Sequence, residues 1–202
     1  NNLNLLSMIS LKQKLNFFII LIFFLGKLQG DNTYLHSLFD SEWEYYLQQN
    51  PVYATSIGVK GSEGNWKDLS LETFEARKNH SLHLLSKLDK LVTEELSKED
   101  RLNYRLFRRL TVEQITLDKY KLHLLPFSHR GGVQLAHEAV ERLPFSSVQD
   151  YQNWLNRLNS LDQRIEQTII LAKEGLRRGY TSPKVLMNRV LRQIKLQTDE
   201  EI

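Results

Sequence analysis

Residues 146–183 read SSVQDYQNWLNRLNSLDQRIEQTIILAKEGLRRGYTSP. Tyr151, Leu155, Leu158, Ile165, Ile169, Ala172 and Leu176 recur at spacings of three, four and seven. Those spacings return them to one face of an α-helix, so the stretch is expected to be one long amphipathic helix of about seven turns. Ser146 or Ser147 supplies a capping hydroxyl, and Asp150 places a negative charge in the electropositive first turn. Gly179 is a natural stop, because glycine accepts the left-handed conformation that closes many helices. Ser182-Pro183 restarts the chain as a helix, since proline at the first helical position has its φ preset and needs no amide donor. Val185, Leu186, Val190, Leu191 and Ile194 form the stripe of that last helix.

Upstream the same period holds. Leu35, Leu38, Phe39, Trp43, Tyr46 and Leu47 predict a first helix from Thr33. It ends at Asn50-Pro51, because proline disfavours the helical conformation of its predecessor. Pro51 to Gly58 reads as a turn or a single helical segment, and Gly58 to Asn65, with three glycines, as a loop. Ser70 is the expected cap of a second helix with the stripe Leu71, Phe74, Leu82, Leu85, Leu88 and Val92. Ser97 is the expected cap of a third, with Leu102, Leu106, Phe107, Leu110, Leu117 and Leu124 running toward Pro126. Residues 126–132 break the pattern, and Gln134 to Arg142 reads as a short helix before Pro144. No stretch alternates with period two. The expected fold class is all-α: an irregular multi-helix bundle of about six helices.

Composition narrows the function classes. Of 202 residues, 41% are hydrophobic and 25% charged, which excludes wholesale disorder. Lys+Arg is 27 against 24 Asp+Glu, a net charge of +3, too little clustered charge for a dedicated nucleic-acid binder. With no cysteine there is no disulfide framework, thiolate metal site or cysteine nucleophile.

The segment before the first helix has a different character. Phe17 to Leu25 is nine consecutive large apolar residues, preceded by Lys12 and Lys14 and followed by Gly26 and Gly30. A basic region, a short apolar run and small residues describe a secretory signal peptide. A membrane-spanning helix needs roughly 20 apolar residues, so no stable membrane span is expected after signal removal. Residues 1–30 are therefore assigned to the signal, with Met8 as the expected start and residues 1–7 as an upstream extension. Residues 31–202 form the mature helical part, and the expected location is periplasmic or extracellular.

Few residues suggest chemistry. His137-Glu138-Ala139-Val140-Glu141 superficially resembles the H-E-x-x-H zinc motif, but Glu141 stands where the second histidine would be. His80 and His83 lie three apart on one helix, and His36, His123 and His129 are scattered; none has further ligands at metal-binding spacing. Arg101, Arg105, Arg108 and Arg109 make a basic stretch that reads as a solvated face paired with Glu99, Asp100 and Glu113. Trp43, Trp66 and Trp154 read as core fillers. No catalytic, cofactor-binding or metal-binding residue is assigned.

The motifs together nevertheless have a recognisable order. They run Phe39-Asp40-x-x-Trp43, Pro51-Val52-Tyr53-Ala54-Thr55-x-x-Gly58 and Asp68-Leu69-Ser70. Glu99-Asp100-Arg101-Leu102-Asn103-Tyr104-x-Leu106-Phe107 follows, then Pro144-Phe145-x-x-Val148-x-Asp150-Tyr151 and Gln167-Thr168-Ile169. The last and sharpest is Lys173-Glu174-Gly175-Leu176-x-Arg178-Gly179-Tyr180-Thr181-x-Pro183. From about Leu35 to Leu196 the chain resembles the N-terminal part of the bacterial family catalogued as domain of unknown function 885. Members of that family are commonly exported and are regarded as candidate zinc metallopeptidases of gluzincin type. The resemblance implies an all-helical fold whose H-E-x-x-H helix lies in a C-terminal half. In that case this chain is a non-catalytic part, its partner is the missing catalytic half, and zinc and a peptide substrate belong to the full-length protein. The alternative is a self-contained secreted helical binding or interaction domain without enzymatic activity. A domain of ~150 residues already hides about 68–70% of its surface, so residues 31–202 could bury a core alone.

Overall fold

The computed structural model describes residues 33–198. The signal segment 1–30 and the expected Met8 start lie outside the described residues. Those described are all-helical: seven α-helices with short 3-10 turns, and an isolated bridge between Ser128 and Gly131. The α-helices are α1 Thr33–Gln49, α2 Pro51–Ser56, α3 Leu71–Leu88, α4 Lys98–Asp118, α5 Val148–Asn159, α6 Leu161–Arg177 and α7 Lys184–Thr198. Three 3-10 segments, Thr93–Glu95, Leu122–Leu124 and Val133–Arg142, lie between α3 and α5. No described helix is long and apolar enough to cross a membrane.

Most helix ends fall where the capping chemistry puts them. Pro51 opens α2 directly after α1. Ser70 accepts from the Thr73 amide at the start of α3, and Ser97 accepts from the Asp100 amide at the start of α4. Ser147 and Asp150 complete a reciprocal capping box on α5. Gly179, at φ 80°, closes α6, with the Tyr180 amide donating to the Gly175 carbonyl.

The core lies where α1, α3 and α4 meet. Leu35, Leu38, Leu84, Leu88, Leu96 and Tyr104 are buried together, with Phe39, Leu91 and Phe107 against them. Phe39 and Phe107 meet edge to face at 4.9 Å. Each leucine fully buried here contributes about 1.5–3 kcal/mol. A second buried set, Leu124, Ala139, Leu171 and Val190, sits where α6 meets the 122–124 turn and α7 meets the 133–142 segment.

Two expectations are corrected. The long helix over 147–179 is two helices, broken at Ser160 (φ −106°, ψ 14°). In a continuous helix the Arg157 carbonyl would accept from the Leu161 amide. Here it accepts from the Trp66 indole N–H at 2.6 Å, from the Ser160 hydroxyl at 3.1 Å and from the Ser160 amide at 3.3 Å. A loop residue 91 positions away has taken the acceptor that would have carried the helix onward.

The second correction concerns which faces are inside. On α4, Leu102, Leu106, Leu110 and Leu117 are exposed, while Asp100, Tyr104 and Thr111 are buried. On α5 and α6, Tyr151, Leu155, Leu158, Ile165, Ile169 and Leu176 are exposed, while Arg157, Thr168, Leu171 and Gly175 are buried. On α7, Val190 is buried but Val185 and Leu191 are exposed. Leu82 and Val92 are likewise exposed, and Val92 lies beyond the end of α3. Leu124 is buried, though not on α4: it belongs to the turn that follows. Trp43 is about half exposed, stacked on Tyr46 rather than set in the core.

Candidate functional site

The loop from Gly58 to Ser70 crosses the molecule between α2 and α3, and Trp66 anchors it. The Trp66 ring is approached by two guanidinium groups: Arg157 at 5.5 Å from the ring centre and Arg164 at 5.0 Å. Its edge meets Trp154 at 6.3 Å. Arg157 has no solvent exposure. It donates to the carbonyls of Asn65 (3.0 Å) and Ser62 (3.5 Å) and to the Thr55 hydroxyl (3.2 Å), so it ties the loop and α2 to α5. Burial pulls its pKa down to about 10.

Beside this anchor, Lys67, Arg77 and Arg164 converge from the loop, α3 and α6 on a cleft of about 360 Å³. None of the three is in a salt bridge among the described residues. Lys67 donates to Asn50 Oδ1 at 3.1 Å. Arg77 donates from Nε to Gln49 Oε1 at 2.7 Å and from Nη2 to the Asp68 carbonyl at 2.8 Å. Arg164 donates to the Lys67 carbonyl at 3.5 Å. Arg77 Nη1 and Arg164 Nε are buried without a hydrogen-bond partner. Desolvation lowers the pKa of all three, and at Lys67 the positive charges of Arg77 and Arg164 lower it further.

The carboxylate in the same lining is Asp68, whose charge acts on Arg77 and whose oxygens are already engaged. They accept from the Ser70 amide, the Ser70 and Thr73 hydroxyls and Gln167 Nε2. Partial desolvation raises its pKa, and those hydrogen bonds outweigh it, leaving the carboxyl below its ordinary range. Gln167 also accepts from the Leu69 amide at 2.9 Å. The Asp68-Leu69-Ser70 and Gln167-Thr168-Ile169 motifs, about a hundred residues apart, therefore meet side by side. A second cleft, of about 540 Å³, adjoins the first; both share Pro51, Trp66, Lys67 and Arg164. Its further lining includes Val52, Tyr53, Leu135 and Ala139, with Arg130, Arg142 and Glu138 also present.

The residues considered from sequence lie elsewhere, apart from Trp66 and Glu138. His137, Glu138 and Glu141 are exposed on the 3-10 segment 133–142, whose three residues per turn rotate i and i+4 away from each other. His80 meets the Glu42 carboxylate at 2.7 Å and stacks on Tyr45, whereas His83 is exposed. His36 meets the buried Asp100 at 2.8 Å. Of the arginine stretch, Arg109 pairs with Glu113, as its spacing suggested. Arg108 pairs instead with Asp89, and Arg101 reaches the Glu94 and Leu96 carbonyls. Each His–carboxylate contact offers two donors, short of the three protein ligands a catalytic zinc takes. Among the described residues no group of three or more such donors gathers.

Lys67, Arg77 and Arg164 carry no local motif. Their spacings of 10 and 87 residues match no helical or strand period, so only the packing of α3 and α6 on the loop reveals them.

A profile of the family described as bacterial protein of unknown function (DUF885) matches residues 51–201. No curated protein matches the chain.

Proposed function

The chain belongs to the bacterial protein family of unknown function DUF885, and on that premise we propose that it is the non-catalytic, helical N-terminal part of an exported zinc-dependent peptidase. One observation carries this reading: the strongest apolar stripes of α4, α5–α6 and α7 face outward. Leu110 is 63% exposed, Leu176 65% and Val185 65%. Isolated surface leucines are ordinary, whereas apolar stripes left open along several helices are the kind of surface that marks an interaction site. Such faces are what a helical scaffold presents to polypeptide that covers it. The sequence itself has no H-E-x-x-H motif, so the metal chemistry is assigned to the covering half. This part supplies cleft wall and the cationic cleft described above.

The test compares the mature segment, residues 31–202, with a longer relative that includes the catalytic half. The chain alone is expected to bind a hydrophobic dye and to self-associate in sedimentation. The longer protein should do neither, and should cleave peptides only when zinc is present. A dye-silent monomer with one sharp melting transition would instead identify a self-contained binding module. Stoichiometric zinc binding together with peptide cleavage by residues 31–202 would overturn the proposal outright.

A further inference from the structure

We propose that the cleft lined by Lys67, Arg77 and Arg164 is a carboxylate-binding site that holds the free acid end of an organic ligand, whose body extends into the adjoining cleft beside Val52, Tyr53 and Ala139. The inference stands whether or not the chain serves a peptidase.

The first support is an imbalance of charge. Three cations, Lys67, Arg77 and Arg164, line the cleft against one carboxylate, Asp68, whose charge acts on Arg77 and whose oxygens already accept from Ser70, Thr73 and Gln167. Repulsion among like charges in a partly desolvated cleft is unfavourable unless an anion is present to offset it. The second is an excess of donors. Arg77 Nη1 and Arg164 Nε are buried and unpartnered, and buried polar groups in folded proteins are nearly always satisfied. Guanidinium forks match the two oxygens of a carboxylate in a way that a point charge does not. The third is shape. An inorganic anion would need only the smaller cleft. Here that cleft adjoins, at Pro51, Trp66, Lys67 and Arg164, a larger one with an aliphatic and aromatic wall. A charged end with an apolar body fits the pair of clefts.

The probe is N-acetyl-leucyl-phenylalanine with a free carboxylate, compared with its C-terminal amide and with inorganic phosphate. Binding to the full chain is followed by calorimetry and by the arginine Nε–H resonances of the wild-type protein. The acid is expected to bind and to shift the Arg77 and Arg164 signals. The amide should bind about tenfold more weakly or worse, consistent with loss of hydrogen bonds to charged groups. Lys67→Met and Arg164→Gln should each weaken the acid by a similar factor. The wild-type resonances keep the test decisive even if Arg164→Gln fails to fold. Equal binding of acid and amide, or unmoved Arg77 and Arg164 signals on saturation, would overturn the proposal. So would phosphate binding as tightly as the acid, which would mean that the clefts hold an inorganic anion only.

Discussion

Replacing Gly175 with alanine separates local helix preference from tertiary contact by the sign of its effect. Gly175 sits inside α6, and in an exposed helix a glycine-to-alanine change stabilises by about 1 kcal/mol. Here a Cβ on residue 175 would stand 2.3 Å from the Leu124 carbonyl oxygen, 3.3 Å from its carbonyl carbon and 3.4 Å from its Cβ. Ordinary van der Waals contact begins roughly 1 Å farther out than the first of these. The obstacle is backbone, so no side-chain rotation relieves it. The 122–124 turn is itself pinned: Lys121 adopts φ 50°, the Leu124 amide donates to the Lys121 carbonyl at 2.9 Å, and Leu124 is buried. Overpacking of this kind costs about 1–3 kcal/mol, and its upper range exceeds the propensity gain. With backbone only 2.3 Å away the upper part of that range, about 2–3 kcal/mol, applies, so Gly175→Ala is expected to destabilise by about 1–2 kcal/mol net, a fall in Tm of about 2–8 °C for a chain of this size. Thermal unfolding followed by circular dichroism measures it. A rise in Tm would show that α6 and the turn are not in contact as described and would refute the reasoning.

Other perturbations probe the same structure. Trp66→Phe keeps a ring beside the two arginines but removes the indole donor to the Arg157 carbonyl; a loss of about 0.5–1.5 kcal/mol in urea unfolding is expected, and no loss would separate that bond from the break at Ser160. Leu110→Gln on the open stripe of α4 should change stability by no more than about 0.5 kcal/mol, whereas Leu88→Ala in the core should cost about 2–5 kcal/mol; the reverse order would place the core on the wrong face. His123 stacks on Phe74 at 4.3 Å, and burial, with Lys121 nearby, lowers its pKa. The folded state thus resists protonation that the unfolded chain accepts, so stability is full above pH 6.5 and declines as pH falls below it. His123→Phe should flatten that slope in a Tm-against-pH series. Glu174 accepts from Arg177 and Arg178, which hold its carboxyl down at about 2, so this exposed contact at the end of α6 persists above the ordinary carboxyl range and is lost as pH falls through about 2; a carboxyl NMR titration reads it directly.

The histidines show how a residue type can be legible while its role is not. His36 and His80 invite a search for metal ligands, and spacing along the chain offers them no partner. Their neighbours, Asp100 and Glu42, come from other helices, 64 and 38 positions away. Gly175 is similar. Its place in the Lys173–Pro183 motif is visible in the sequence, but the reason for a glycine there is the Leu124 carbonyl, 51 positions earlier. The outward stripes are the largest departure. Periodicity locates an apolar face; it does not say what will cover it. On α4 and α6 the inner faces carry Asp100, Thr111 and Thr168, polar groups that packing accommodates through hydrogen bonds to His36 and to carbonyls one turn back.

Helix content, most helix boundaries and the exclusion of cysteine chemistry were settled by the sequence alone, because caps, prolines and the Gly179 stop act on atoms within a few residues of themselves. The break at Ser160, the inward faces of α4 and α6, and the meeting of Lys67, Arg77 and Arg164 were decided only by tertiary structure. Each depends on a donor, a carbonyl or a charge brought from a distant part of the chain, and no local preference encodes which distant group arrives.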